Sequence, residues 1–409
     1  MNRSFVMRAG PGIFAVLTIA AVLALTPAPA AAQGDESDSE TGTAPVRPLT
    51  VRPTIGWETG YDDNVFRRAE APTSDFVSIF SSQAAVRGRM RRLALTGSGS
   101  ADWVHYASIV SERGANIGST VRLDFLFNRL VPYVSTNYGN SRTRVNSEID
   151  VRPRIEQSAV TVGGVLHMGA KTSLDFSAQR ASVSFDETVA DGVLLREALD
   201  RKVDRMALSL LQQITPLTRI SISAERSRDR FEGNTFRAAD NLQVTAGFES
   251  GGRIRGRARA GVQIHKPVDP TLPESRAFIL GVGTSMTLRD RAQIGIDADR
   301  SLVPSYRTDV AYYESYGFVG SFSYAVRQAL RFRVMAGRRI FDYRQGSGDA
   351  VALALAGLET ESTYGSGVSY RLGDSMTIDA FGTYVERVSP SAARGFDGMR
   401  LTAGISHAF

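Results

Sequence analysis

The chain has 409 residues, of which 43% are hydrophobic and 22% charged, with 38 glycines, no cysteine and a formal charge of +6. The missing cysteine excludes a disulfide framework, a thiolate nucleophile, a Cys–zinc cluster and a lipid-modified N-terminal cysteine. Beyond one apolar stretch near the N-terminus, no run approaches the roughly 18 apolar residues of a membrane-spanning helix, which excludes a helical membrane bundle.

Arg3 and Arg8 precede an apolar stretch from Ile13 to Leu25, and Pro27-Ala28-Pro29-Ala30-Ala31-Ala32 then supplies the small residues a signal peptidase accepts. Residues 1–32 therefore read as a secretory signal peptide cleaved before Gln33, with an uncleaved anchor as the alternative. Losing Arg3 and Arg8 lowers the charge to +4, a mildly basic balance that, with export, argues against nucleic acid as a partner. Residues 33–50 are acidic, rich in Ser and Thr and free of aromatics, so they read as a disordered periplasmic tail.

From Val51 to Phe409 the dominant signal is an apolar/polar alternation of period two, broken by turn residues every 10 to 14 positions. The stretch from Arg253 to His265 is the clearest case. One parity carries Arg253, Arg255, Arg257, Arg259, Gln263 and His265, and the other carries Ile254, Gly256, Ala258, Ala260, Val262 and Ile264. On a helix these arginines would scatter around the axis; on a strand they form one row. Leu330, Phe332 and Val334 oppose Arg331 and Arg333 in the same way, and Val121 and Leu123 oppose Arg122.

About eighteen such strands fit between 51 and 409. Short connections fall near 91–92, 128–130, 169–171, 215–217, 250–252, 289–290, 327–328 and 373–374, and longer polar ones at 62–75, 145–156, 187–200, 267–274, 345–356 and 389–396. No proline interrupts the middle of an assigned strand, where it would remove a ladder donor. Two segments resist the alternation. Residues 194–199 have the spacing of a short amphipathic helix, and 351–356 fit either a helix or a strand.

In lipid every backbone polar group must be paired within the protein, so a strand-only chain has to close on itself. The expected fold is a transmembrane antiparallel outer-membrane β-barrel of about eighteen strands, with short periplasmic turns and longer extracellular loops. A secreted β-sandwich is the soluble rival, but it would need many core-only strands, which are scarce here. The last residues, Met399 to Phe409, alternate to the end and close on Phe409, a pattern similar to the terminal signal that the barrel assembly machinery reads. The expected location is the bacterial outer membrane, with its lipid and lipopolysaccharide as surroundings.

Directly after the first strand stand Gly60, Tyr61, Asp62, Asp63, Asn64, Val65, Phe66 and Arg67. This octad resembles the opening motif of the putative β-barrel porin 2 family, outer-membrane barrels of proteobacteria, some encoded beside exopolysaccharide genes. The resemblance implies a barrel with no catalytic residues to carry over. Read from the residues, Asp and Asn favour a tight turn through bonds to backbone, with Tyr61 at the membrane interface. A divalent-cation site at Asp62 and Asp63 is the alternative.

The histidines are His105, His167, His265 and His407. Asp102 and His105 would point to opposite faces of their strand, so they make a poor catalytic pair. No phosphate loop, nucleophile elbow or metal-ligand spacing appears, and no cofactor is implied. The chemistry that stands out is the arginine row. Arg253, Arg255, Arg257 and Arg259, with Arg331, Arg333 and Arg122 on other strands, should line the lumen and favour anions. Alternatively they pair with lumen carboxylates such as Asp124, Asp175, Asp297, Asp299 and Asp379. The expected function is passive diffusion of small hydrophilic solutes with a mild anion preference. A non-enzymatic part in exopolysaccharide export or surface assembly, with polysaccharide as the partner, is the second reading, suggested only by the family resemblance; a barrel enzyme is the third.

Overall fold

The structure is a computed structural model that describes residues 49–145, 149–190, 192–233, 237–270, 274–289, 291–305, 312–344 and 358–409. The proposed leader and nearly all of the proposed tail lie outside these residues, as does 351–356. The first strand begins at Leu49, two residues before the expected boundary.

Strands follow one another along the chain: β1 Leu49–Asp62, β2 Asp75–Met90, β3 Leu93–Tyr106, β4 Gly114–Phe125, β5 Leu130–Arg142, β6 Arg154–His167 and β7 Thr172–Phe185. A two-residue ladder, β8 Val189–Ala190 with β9 Val193–Leu194, and the one-turn helix α1 Leu195–Leu199 interrupt the series. It resumes with β10 Arg201–Thr215, β11 Thr218–Phe231, β12 Ala239–Ser250, β13 Ile254–Pro267, β14 Ser275–Leu288, β15 Ala292–Pro304 and β16 Tyr312–Ala325. The last four are β17 Leu330–Arg344, β18 Leu358–Leu372, β19 Met376–Val388 and β20 Phe396–Ala408. α1 falls within the segment whose spacing predicted a helix.

Eighteen of these strands form one antiparallel sheet in which each pairs with its sequence neighbours. β1 also pairs with β20, from Thr54 opposite Ala408 to Asp62 opposite Arg400, so no edge remains. Such closure lets the wall pair its backbone groups within the protein, as a sheet in lipid requires. Strands of 12 to 16 residues exceed the roughly 9–11 needed to cross a bilayer, so the wall projects beyond it.

One end of the barrel holds tight turns and both ends of the described chain; the other holds the longer connections. The tight turns use the left-handed region at Arg91 (φ 44°), Arg289 (φ 50°), Gly252 (φ 97°) and Gly373 (φ 67°), the twist that two-residue hairpins demand. Below, these are the short-turn end and the mouth.

The alternation read from the sequence becomes two faces. On β11, Ile220, Ile222 and Ala224 are exposed outward while Ser221, Ser223 and Glu225 face the lumen. Trp57, Phe80 and Trp103 on the first three strands are more than half exposed on the same outer surface. A continuous apolar band of this kind belongs in lipid. Buried apolar side chains gather instead at the mouth, in one cluster around Ile149, Phe185, Leu195 and Phe231 and another around Val65, Val77, Val104 and Tyr106.

Candidate functional site

The lumen is built by parity. On β13 the outward residues include Ile254 and Val262, so Arg255, Arg257 and Arg259 point inward, where all three side chains are exposed. Arg253 falls outside the strand, in the turn after Gly251 and Gly252, which shifts it from the wall to the short-turn rim. Arg331 and Arg333 point inward from β17, because Phe332 is outward.

Between these two arginine groups lie β14, β15 and β16. Their inward positions near the short-turn end are mostly small: Ser285 and Gly283, Gly295, Ser321 and Ser323. Register across the wall then sets up rows. Arg259 stands opposite Gly281, Gly281 opposite Asp299, Asp299 opposite Gly317, and Gly317 opposite Arg339. A Cβ at Gly317 would lie 2.3 Å from Asp299 Oδ1 and 2.7 Å from Arg339 Nη2, so glycine is what lets the two side chains meet. Arg339 donates to both Asp299 oxygens, at 3.0 and 3.2 Å. One row nearer the short-turn end, Arg257 and Asp297 lean over Gly283 from either side without closing an ion pair.

Inward positions of β13 to β19 carry eight arginines (255, 257, 259, 331, 333, 339, 371 and 387) against five carboxylates (Asp297, Asp299, Glu359, Glu361 and Asp379). Arg257, Arg259, Arg331 and Arg333 make no ion pair with another described residue. Arg122 behaves differently. Its guanidinium is held by Asp124 at 2.7 Å and stacks over the Tyr133 ring at 3.7 Å, making it a wall strut. Tyr133 in turn lies across Gly163 and donates to Asp175 at 3.3 Å. Arg122 is thus paired, whereas Arg257, Arg259, Arg331 and Arg333 leave an open cationic surface.

The mouth was not legible in the sequence. The described parts of the connection from β5 to β6, residues 143–145 and 149–153, fold inward and touch distant parts of the rim. Arg144 donates to the Val65 carbonyl, and Arg152 to the Tyr106 hydroxyl. Arg152 and Arg142 flank buried Glu112 at 3.5 and 3.7 Å. Ile149, with no exposed surface, seats in the apolar cluster of β6, β7 and α1. Asp150 accepts from Arg387 on β19 at 2.9 and 3.1 Å.

Arg387 is itself fully buried, bonds Glu361 at 3.0 Å and lies 4.8 Å above the Phe396 ring. Arg394 is clamped on Glu359 at 2.7 Å, while the Tyr343 hydroxyl donates to Glu359 at 3.1 Å. Burial, then the cations Arg67 and Arg152, pull the Arg144 guanidinium well below its ordinary value. Burial raises the Asp150 carboxyl, against the pull of Arg387 and Arg394.

The octad at 60–67 is structural in its contacts. Asp62 accepts from the Asn64 amide at 3.1 Å, an Asx turn. Asp63 accepts from the Met399 amide at 2.7 Å, and Asn64 donates to the Asp397 carbonyl at 2.9 Å. Val65 is buried, Arg67 reaches Glu361 at 3.4 Å, and Tyr61 packs outward against Phe76 at 5.1 Å. Gly60 must stay small, since a Cβ there would meet the Leu401 carbonyl at 2.5 Å. Just past the octad, the Arg68 guanidinium lies over the Phe66 ring at 5.3 Å. His265, the end of the arginine row, is buried and bonded to Asn241 at 2.6 Å, a wall residue. Asp102 and His105 fall on opposite faces, as expected.

A family model described as Putative beta-barrel porin 2 matches residues 47–409. Among solved structures, OccAB3 of Acinetobacter baumannii is similar with TM-score 0.52 and 8% identity over 88% of this chain and 99% of that one. OpdQ of Pseudomonas aeruginosa is similar with TM-score 0.50 and 10% identity over 89% and 98%. The outer membrane protein opdK of the same organism gives 0.50 and 10% over 88% and 99%. At such identity these likenesses speak for the barrel fold alone. No curated protein matches the sequence.

Proposed function

The chain belongs to the putative β-barrel porin 2 family, and from that premise we propose that it is an outer-membrane channel for passive diffusion of small hydrophilic solutes, with a mild preference for anions. Its short-turn end faces the periplasm and its mouth faces outward. An eighteen-stranded barrel is wide enough for an aqueous bore.

The observation that carries the anion preference is the arginine surface of β13 and β17. Four guanidiniums there lack a carboxylate partner among the described residues, and the small residues of β14 to β16 leave room between them. Cations lining a low-dielectric passage raise the local concentration of anions and exclude other cations. Arg255 and Arg253 extend the same surface toward the periplasmic rim. The in-folded residues 143–145 and 149–153 narrow the outer mouth and set the size limit.

Export through a leader at 1–32 and recognition of the terminal strand ending in Phe409 by the assembly machinery complete this reading. No described side chains form a catalytic constellation that would favour an enzyme. The test is a planar-bilayer recording under a KCl gradient. The reversal potential should report anion preference, and the Arg257→Ser/Arg259→Ser double variant should move it toward zero. A folded barrel that never conducts would overturn the proposal.

A further inference from the structure

Outside the bore, one sector of the lipid-facing wall changes character near the mouth. On β7, β10, β11 and β12 the outward residues begin as an ordinary apolar belt, for example Phe176, Leu208, Ile222 and Val244. Directly toward the mouth they become charged: Arg180, then Asp204 and Lys202, then Arg226, Arg228 and Arg230, with Asp240 beside them. Register puts these on adjacent rungs, with Asp204 between Arg180 and Arg228, and Arg228 opposite Asp240.

The charges do not balance. Three guanidiniums converge on one carboxylate: Arg230, Arg226 and Arg228 stand 2.6, 3.2 and 3.9 Å from Asp240. Arg180 pairs with Asp204 at 2.7 Å, and Lys202 with Glu232 at 2.7 Å. Five cations thus face three carboxylates, and Lys266 sits opposite Asp240 on β13. The side chains of Arg226 and Arg228 remain 55% and 53% exposed, so donors remain on their outer edges. The Arg228 side chain makes no hydrogen bond to another described residue. The opposite wall differs: at the same end, β19 and β20 present Glu386 opposite Asp397. The basic sector is local.

We propose that this sector is a docking site for the phosphorylated headgroup of lipopolysaccharide in the outer leaflet. The arginines and Lys202 bind the lipid A phosphates, and the apolar belt beneath packs against the acyl chains. Guanidinium suits phosphate because its fork donates two parallel hydrogen bonds. The place suits it too, since cations just beyond an apolar band lie at headgroup depth. Asp240 spaces the three arginines but leaves their charge largely uncompensated. The site depends on the membrane-spanning barrel and is independent of what the bore conducts.

The test uses the purified full-length barrel in neutral detergent, with native mass spectrometry against bis-phosphorylated and dephosphorylated lipid A. Wild type should retain the bis-phosphorylated form selectively. The Arg226→Gln/Arg228→Gln/Arg230→Gln variant should bind it on the order of tenfold or more weakly, and salt should weaken wild-type binding. Asp240→Asn, which removes the competing anion, should bind it more tightly, an outcome that holds even where the triple variant does not fold. Equal retention of dephosphorylated lipid A, or undiminished binding by a folded triple variant, would overturn the proposal. So would a triple variant that changes oligomeric state while lipid binding is unchanged, which would make this face a contact between copies of the chain.

Discussion

Replacing Ile149 by alanine removes the apolar anchor of the segment folded into the mouth, and the channel should change its conductance as a result. Ile149 has no exposed surface and packs among Ile155, Val183, Phe185, Leu195, Leu199 and Phe231. Truncating a fully buried isoleucine costs about 2–5 kcal/mol. Polar contacts from Arg144, Asp150 and Arg152 also hold the segment, and the vacated site can partly close. We therefore take the lower part of the range, about 2–3 kcal/mol, as the loss to the seated arrangement. That shifts the ratio of seated to released segment by roughly 30- to 150-fold. Local opening of surface connections costs from near zero to the global stability, so the released form should become visible as a second, larger conductance level in single-channel records. Ile149→Val, expected to cost about 0.5–1.5 kcal/mol, should resemble wild type. If Ile149→Ala is folded by its heat-dependent gel mobility and yet shows wild-type conductance with no added transitions, the segment does not govern the mouth.

Other outcomes follow from the same geometry. Asp297→Asn removes the carboxylate that leans over Gly283 toward Arg257, and should raise the anion-to-cation permeability ratio roughly two- to threefold in the same bilayer assay. Gly163→Val would place a side chain where Tyr133 Cζ and the Phe176 carbonyl stand 2.5 and 2.6 Å from the new Cβ; overpacking of about 1–3 kcal/mol should lower the temperature at which the folded band converts on a gel. The raised Asp150 carboxyl gives a signed pH dependence. The seated segment binds that proton more tightly than the released one, so acidification from about pH 7 to about pH 4 favours seating through this group. Conductance corrected for the bulk solution should hold or fall over that range, and Asp150→Asn should keep the segment seated; a rise on acidification that Asp150→Asn abolishes would contradict the assignment.

What the sequence discloses here follows the range of the physics behind it. Period-two parity is local, and it placed Arg255, Arg257 and Arg259 on one face and left Asp102 and His105 on opposite faces. Arg253 was misplaced by one residue of turn, because Gly252 in the left-handed region keeps the chain out of the ladder until Ile254. The bond between Arg122 and Asp124 joins residues two apart on one strand, and that spacing makes it readable among the pairings expected. The mouth is another matter. Arg387 meets Asp150 across 237 residues, and Ile149 shares one cluster with Phe231. No periodicity encodes such contacts. Arg339 could have joined the lumen set by parity alone; its pairing with Asp299 needed the register of three strands and the bare backbone of Gly317.

The bonds that Asp63 and Asn64 make to Met399 and Asp397 run between the first strand's tip and the last strand's beginning. A polypeptide inserted with its final hairpin unseated would lack both of these long-range bonds, while Asn64 would keep its local bonds with Arg68. Those long-range bonds exist only in a finished cylinder. Within the eight-residue motif they are the positions that join the two ends of the wall, so the seam is bolted by side chains as well as by its ladder.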